Sequence, residues 1–163
     1  MRGRPVVDFK SIGVIRTPFK NLEGTPIQPI GGSKVEGTVE LNPEYVEGLK
    51  DLDGFSHIIL LYHFHKAKDY ALQVKPYLDP VKRGVFATRI PGRPNPIGMS
   101  IVRLKDIQGN VIHFRDVDII DGTPLLDIKP YIPVTDVKDN VKIGWLEDKS
   151  KKMSDKKGDG RIK

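Results

Sequence analysis

Apolar and polar positions alternate along much of this chain with the two-residue period of a β-strand. From Val35 to Leu41, Val35, Gly37, Val39 and Leu41 fall on one side and Glu36, Thr38 and Glu40 on the other, which predicts a half-buried strand. The same pattern predicts a first strand over Val6–Arg16, ended by Thr17-Pro18. It also predicts a hairpin of Ser100–Ile107 and Val111–Ile119 joined through Gln108-Gly109-Asn110. Phe55–His65 (FSHIILLYHFH) is β-branched and aromatic with little alternation, as expected of a central strand buried on both faces. Short strands are predicted at Gly84–Ala87 and around Leu125–Ile128, with room for one more in the polar Lys66–Pro80 connection. Helical signals are few: Asn42-Pro43 offers an N-cap followed by proline at the first helical position, predicting a short helix over Glu44–Leu49. About seven strands and one or two short helices predict an all-β, β-rich, single-domain fold, and closure into a barrel would remove exposed sheet edges.

The breaks in this pattern are as informative as the pattern. Arg83–Ser100 (RGVFATRIPGRPNPIGMS) opens as a strand and then holds Arg89, Arg93 and Asn95 among three prolines. Proline fixes φ, lacks an N–H and pushes the preceding residue toward extended geometry, so the stretch is a stiff loop that displays polar groups. Such a loop suits an anion or polar ligand held in fixed geometry. Lys20–Ser33 (KNLEGTPIQPIGGS) is a second long irregular loop, and Asp121–Val134 begins with a tight Asp-Gly turn.

Composition narrows the class. At 163 residues, with 38% hydrophobic and 29% charged, the chain is long enough for one domain with its own core. The net charge of +6 owes much to the C-terminal Lys149, Lys151, Lys152, Lys156, Lys157, Arg161 and Lys163. Residues 1–147 are therefore expected to form the folded domain and 148–163 a basic, disordered tail. Such charge is compatible with a nucleic-acid partner. Zero cysteines exclude disulfides, thiol catalysis and cysteine-ligated zinc. No apolar run is long enough for a membrane helix and the N-terminus lacks a signal-peptide core, so a cytoplasmic protein without membrane partners is expected.

Motif chemistry excludes more than it selects. The dinucleotide GxGxxG, the phosphate-loop GxxxxGK[ST] and the HExxH zinc helix are all absent, as is the strand-helix alternation of a Rossmann domain. The serines lack a nucleophile elbow. His57, His63 and His65 share one strand parity, yet no further ligand stands nearby in sequence, so no metal is expected. What remains is a set of loop residues that a barrel could bring together as a small-ligand pocket: Pro26–Gln28, His65, Arg89 and Asp121–Pro124.

Four collinear blocks, IGVIRTPF (Ile12–Phe19), DGFSHIILLYHFH (Asp53–His65), RGVFATRIPGRPNPIGMS and DGTPLLDIKPY (Asp121–Tyr131), resemble the TrmO family, also called YaeB or TsaA-like, over roughly residues 9–146. The resemblance implies an S-adenosylmethionine-dependent tRNA methyltransferase with a non-Rossmann β-barrel, acting as a homodimer. The implied reaction is methylation of the N6 nitrogen of threonylcarbamoyladenosine beside the anticodon of threonine tRNA. It implies cofactor contacts at Pro26, Ile27, Gln28, His65, Lys66, Arg89, Met99, Asp121, Gly122, Thr123 and Pro124. Arg16, Arg93 and Asn95 are expected to face RNA, and Asp121, His65 or His63 could collect the released proton. Ile27 stands where the family usually has arginine, and Gly92 where histidine is common. The alternative reading is a cofactor-binding or RNA-binding module without methyl transfer, or a methyltransferase for a substrate other than tRNA.

Overall fold

The computed structural model describes residues 3–21, 23, 25, 34–77 and 79–149. Pro26, Ile27, Gln28 and the basic positions beyond Lys149 lie outside the described residues. Six strands close a barrel: β1 (Gly13–Arg16), β2 (Glu36–Leu41), β3 (His57–His63), β6 (Ile97–Gln108), β7 (Val111–Arg115) and β8 (Thr123–Pro130). The order around the barrel is β1-β2-β7-β6-β3-β8, and every neighbouring pair is antiparallel. A two-stranded ribbon of β4 (Gln73–Val74) and β5 (Arg83–Gly84) lies within the long connection from β3 to β6.

Each strand sends alternate residues inward, and those residues make the core. Ile15, Val39, Ile58, Leu60, Val102, Ile112, Phe114 and Leu125 are fully buried. The predicted inward face of β2 holds, with Gly37, Val39 and Leu41 buried in alternation. The β6–β7 hairpin also forms, its turn needing Gly109 at φ +62, a conformation that glycine adopts without steric cost.

Several elements differ from the sequence reading; among them, the strand predicted over Val111–Ile119 ends at Arg115. β3 is not buried on both faces: Ile58, Leu60 and Tyr62 point inward while Ile59 and Leu61 are half-buried, because a small barrel has only one interior. β1 is shorter than Val6–Arg16, since only Gly13–Arg16 finds partners in both β2 and β8. The strand predicted at Gly84–Ala87 ends after Gly84 and tightens into a 3-10 turn over Val85–Ala87. The predicted helix after Asn42 is a 3-10 helix over Pro43–Leu49; Asn42 makes no side-chain cap and instead donates to the Ser11 carbonyl at 3.3 Å.

The direction of the strands matters most for function. β1, β3 and β7 end, and β2, β6 and β8 begin, at the same end of the barrel. The connections β1–β2, β3–β6 and β7–β8 therefore all leave one rim. The short Gly109–Asn110 turn and the 3-10 helices after β2 occupy the other.

Candidate active site

The loop-bearing rim gathers the residues singled out in the sequence. His65 and Lys66 follow β3, Arg89 to Asn95 precede β6, Met99 is the third residue of β6, and Asp121 and Gly122 lead into Thr123 and Pro124 at the start of β8. Residues more than a hundred positions apart thus share one end of the barrel.

The turn at Asp121 is a structural clamp. The Asp121 carboxylate accepts from the Thr17 amide at 3.1 Å and from Lys20 Nζ at 2.6 Å. Its amide donates to the Phe19 carbonyl, and the Gly122 amide to that of Ile15. Gly122 sits at φ +77, so glycine is what lets the chain turn here. The Lys20 contact first, then the Thr17 amide, holds the Asp121 carboxyl below its ordinary range. A carboxylate so committed to cations and amides is a poor proton acceptor.

The histidines divide in a similar way. The His65 ring approaches Thr123 Oγ1 at 3.4 Å through Nδ1 while Thr123 donates to the Ile120 carbonyl at 2.7 Å. Burial, followed by the charges of Lys66 and His63, lowers the imidazole of His65, so it is neutral near pH 7. His63 ends β3 with its side chain exposed. Among the described residues, no group of three histidines, aspartates or glutamates could hold a metal ion.

The arginines also take different tasks. Arg93 turns back onto its own loop, donating to the Thr88 carbonyl at 3.0 Å and the Ile90 carbonyl at 3.5 Å, which stiffens the proline-rich segment. Arg16 pairs with Glu40 at 3.6 Å on the barrel surface. Asn95 is exposed, and its carbonyl accepts from the Ile97 amide. Arg89 stays near the barrel mouth, where its charge is felt by both Tyr62 and Asp118.

Below that mouth lies a polar chain that sequence reasoning missed. Tyr62 of β3 and Ser100 of β6 both point into the barrel, with Tyr62 Oη 2.9 Å from Ser100 Oγ. Ser100 Oγ donates to Asp118 Oδ1 at 2.6 Å. Gly98, opposite Tyr62 in the β3–β6 register, leaves the space its ring fills, and Phe64 packs edge-on at 5.4 Å. Burial pushes the Asp118 carboxyl up to about 7, against the opposing pull of the Ser100 hydrogen bond and the Arg89 charge. Burial, and then the Asp118 charge, raise the Tyr62 phenol far above its ordinary value. The one signal in the sequence is Ser100 itself, a polar residue on the inward parity of an otherwise apolar stretch of β6.

A second cluster braces the approach to Arg89. Asp79, 2% exposed, accepts from Arg83 through Nε at 3.1 Å and through Nη2, from Lys149 at 2.7 Å and from the Val81 amide at 3.1 Å. Lys149, then Arg83 and the Val81 amide, hold its carboxyl well below the ordinary range. Trp145 donates from Nε1 to the Ala87 carbonyl at 2.8 Å, with Arg83 and Lys149 over its ring at 5.5 and 5.8 Å. Trp145 and Lys149 thereby tie the last described stretch to the Val85–Ala87 turn and to Asp79.

Comparison with known proteins gives this geometry a context. Residues 14–137 match the family described as the tRNA-methyltransferase O N-terminal domain. A probable S-adenosyl-L-methionine-binding protein of Pyrococcus abyssi is 56% identical over 96% of this chain and 85% of its own length. The tRNA (adenine(37)-N6)-methyltransferase of Escherichia coli is 37% identical over 77% of this chain, which spans 57% of that enzyme. The crystal structure of TrmO from Pseudomonas aeruginosa aligns with a TM-score of 0.73 at 37% identity, covering 86% of this chain and 63% of that one.

Proposed function

The chain belongs to the tRNA-methyltransferase O family, and on that premise we propose that it is an S-adenosylmethionine-dependent tRNA adenine-N6 methyltransferase. Its proposed target is the N6 nitrogen of threonylcarbamoyladenosine beside the anticodon of threonine tRNA, and its proposed working form is a cytoplasmic homodimer. The observation that carries this reading is the meeting of Arg89, Met99, His65, Lys66 and the Asp121–Pro124 turn at one barrel rim.

The groups at this rim suit such a cofactor. Arg89 supplies a guanidinium, which stays charged and presents a fixed fork to a carboxylate. Ile97 and Met99, 43% and 44% exposed, offer apolar surface on the outer side of β6 for an adenine ring and the methylene groups of the cofactor's amino-acid chain. When bound, the cofactor supplies a methyl group on a sulfonium, an electrophile that needs no activation by metal. What the protein must add is alignment of the acceptor nitrogen with that methyl and exclusion of water. The rigid Arg93-braced loop and the clamped Asp121 turn are suited to alignment. Phosphate contacts from exposed basic residues would hold the RNA.

The test is incubation of the pure protein with methyl-labelled S-adenosylmethionine and total tRNA, with and without the threonylcarbamoyl modification. Label in threonine tRNA that depends on the modification supports the proposal. Calorimetric binding of the cofactor with no transfer to any tRNA would instead favour a cofactor-binding module.

A further inference from the structure

Methyl transfer to an N–H nitrogen releases a proton, and the three groups the sequence offered for it are not equally free to take it. Asp121 is committed to Lys20 and Thr17, His63 is exposed at the strand end, and His65 meets Thr123 through Nδ1, which leaves Nε2 as the rival acceptor. Asp118 has a different setting. It lies in the β7–β8 connection at the loop-bearing rim, within reach of the Arg89 charge, and the Ser100 hydroxyl fixes it at 2.6 Å. A carboxylate has about four lone-pair sites, so the hydrogen bonds from Ser100 and from the amide of Asp118 itself leave room for a proton.

Resting on the function proposed above, we propose that Asp118 is the catalytic residue that accepts the proton released from the acceptor nitrogen, and that Ser100 is the positioning residue that holds its carboxyl. As the nitrogen lone pair closes on the methyl carbon, the carbon–sulfur bond breaks with its electron pair going to sulfur. The N–H bond then breaks, its electron pair stays on nitrogen, and the proton joins an oxygen of Asp118. One positive sulfonium and one negative carboxylate are replaced by a neutral thioether and a neutral acid. Loss of both charges is favoured where charge is poorly solvated, which is the setting of Asp118. The charged and titratable groups that face it are Arg89 from the β5–β6 connection and Tyr62 from β3, with Ser100 of β6 as its hydrogen-bond donor. The Ser100 hydrogen bond first, then the amide of Asp118 and the Arg89 charge, favour the ionised carboxyl against burial, while Tyr62 stays a phenol and serves as a second hydroxyl behind Ser100.

The test measures single-turnover methyl transfer against pH alongside carbon-13 carboxyl NMR of the free protein. Asp118→Asn should slow transfer by about 10²- to 10⁴-fold, the usual worth of a general base, with cofactor affinity unchanged. The native carboxyl should titrate near 7. Ser100→Ala removes a bond that favours the carboxylate, so both the NMR midpoint and the acidic limb of the rate profile should move to higher pH together. A merely structural serine would not move them in step. If Asp118→Asn does not fold, the Ser100→Ala shift decides the matter. Native transfer with an unchanged Asp118→Asn rate, or a Ser100→Ala profile that stays in place, overturns the assignment of Asp118 while leaving the enzyme reading intact. Absence of transfer by the native protein overturns that reading and this assignment with it.

Discussion

Gly98 and Tyr62 lie opposite one another in the β3–β6 pair, so close that a Cβ on Gly98 would fall 2.5 Å from Tyr62 Cζ and closer still to Cε2. The phenol of Tyr62 reaches Ser100 only because its ring lies over this glycine. Gly98→Ala must push the ring aside inside a packed barrel, and overpacking of this kind costs about 1–3 kcal/mol. Urea denaturation should show that loss, and Gly98→Ala combined with Tyr62→Ala should show less than the sum of the single effects. Additive losses would mean that the two residues do not compete for the same space.

Asp118 carries a cost to stability that depends on pH. Its carboxyl titrates near 7 in the folded protein and near 3.8 when unfolded, so the native state holds the extra proton between those values. Its contribution is fully favourable below about pH 4 and is lost as pH rises through about 7. Asp118→Asn removes this dependence. The melting temperature of the variant relative to the native protein should therefore rise between pH 5 and pH 8, and a constant difference would count against a buried, raised carboxyl.

Arg89→Ala should weaken S-adenosylmethionine binding by about 1.5–3 kcal/mol, the range for a charge-assisted hydrogen bond. Calorimetry measures this directly. Lysine at the same position keeps the charge but not the planar fork, and so should recover only part of the loss. Affinity equal to that of the native protein would remove Arg89 from the cofactor site.

Trp145 braces the segment leading to Arg89 from outside the matched family region, which ends at residue 137. Trp145→Ala deletes the bond to the Ala87 carbonyl and the ring beneath Arg83 and Lys149. One hydrogen bond and an exposed cation–π pair are together worth about 1–2 kcal/mol. Hydrogen exchange should accelerate at Val85 and Thr88, whose amides bond to the Leu72 and Val85 carbonyls. Amides in the β6–β7 hairpin should be unaffected, and equal acceleration there would show general destabilisation in place of a local brace.

Much of the barrel was legible in the chain because alternation on β2, β6 and β7 maps directly onto inward and outward faces. The site's location was legible too, since loops that interrupt alternation with proline, glycine and arginine have to leave the barrel at its rims. Asp118 was not, because in RDVDII it reads as one more polar residue in an alternating strand. Its role emerges only when β6 brings Ser100 within 2.6 Å of it. The same limit hid the Asp79–Lys149 contact, which joins residues 70 positions apart through side chains that individually look like solvated surface. β3 was misread as doubly buried because aliphatic residues also cover its outer side, where Ile59 and Leu61 are half-buried.

The C-terminal basic residues can be tested separately from this brace. Lys151, Lys152, Lys156, Lys157, Arg161 and Lys163 follow Lys149, which is already engaged with Asp79. Truncation after Glu147 would release Asp79 from Lys149 and mix two effects. Truncation after Lys149 keeps the brace and removes only the later charges. If these lysines and the arginine contact phosphates, each releases counterions, and their loss should reduce the salt slope of tRNA binding by about 4 to 5 units on a log–log plot. Cofactor affinity should not change. A salt slope that stays the same would assign the six cations to solubility, and tRNA binding to the barrel alone.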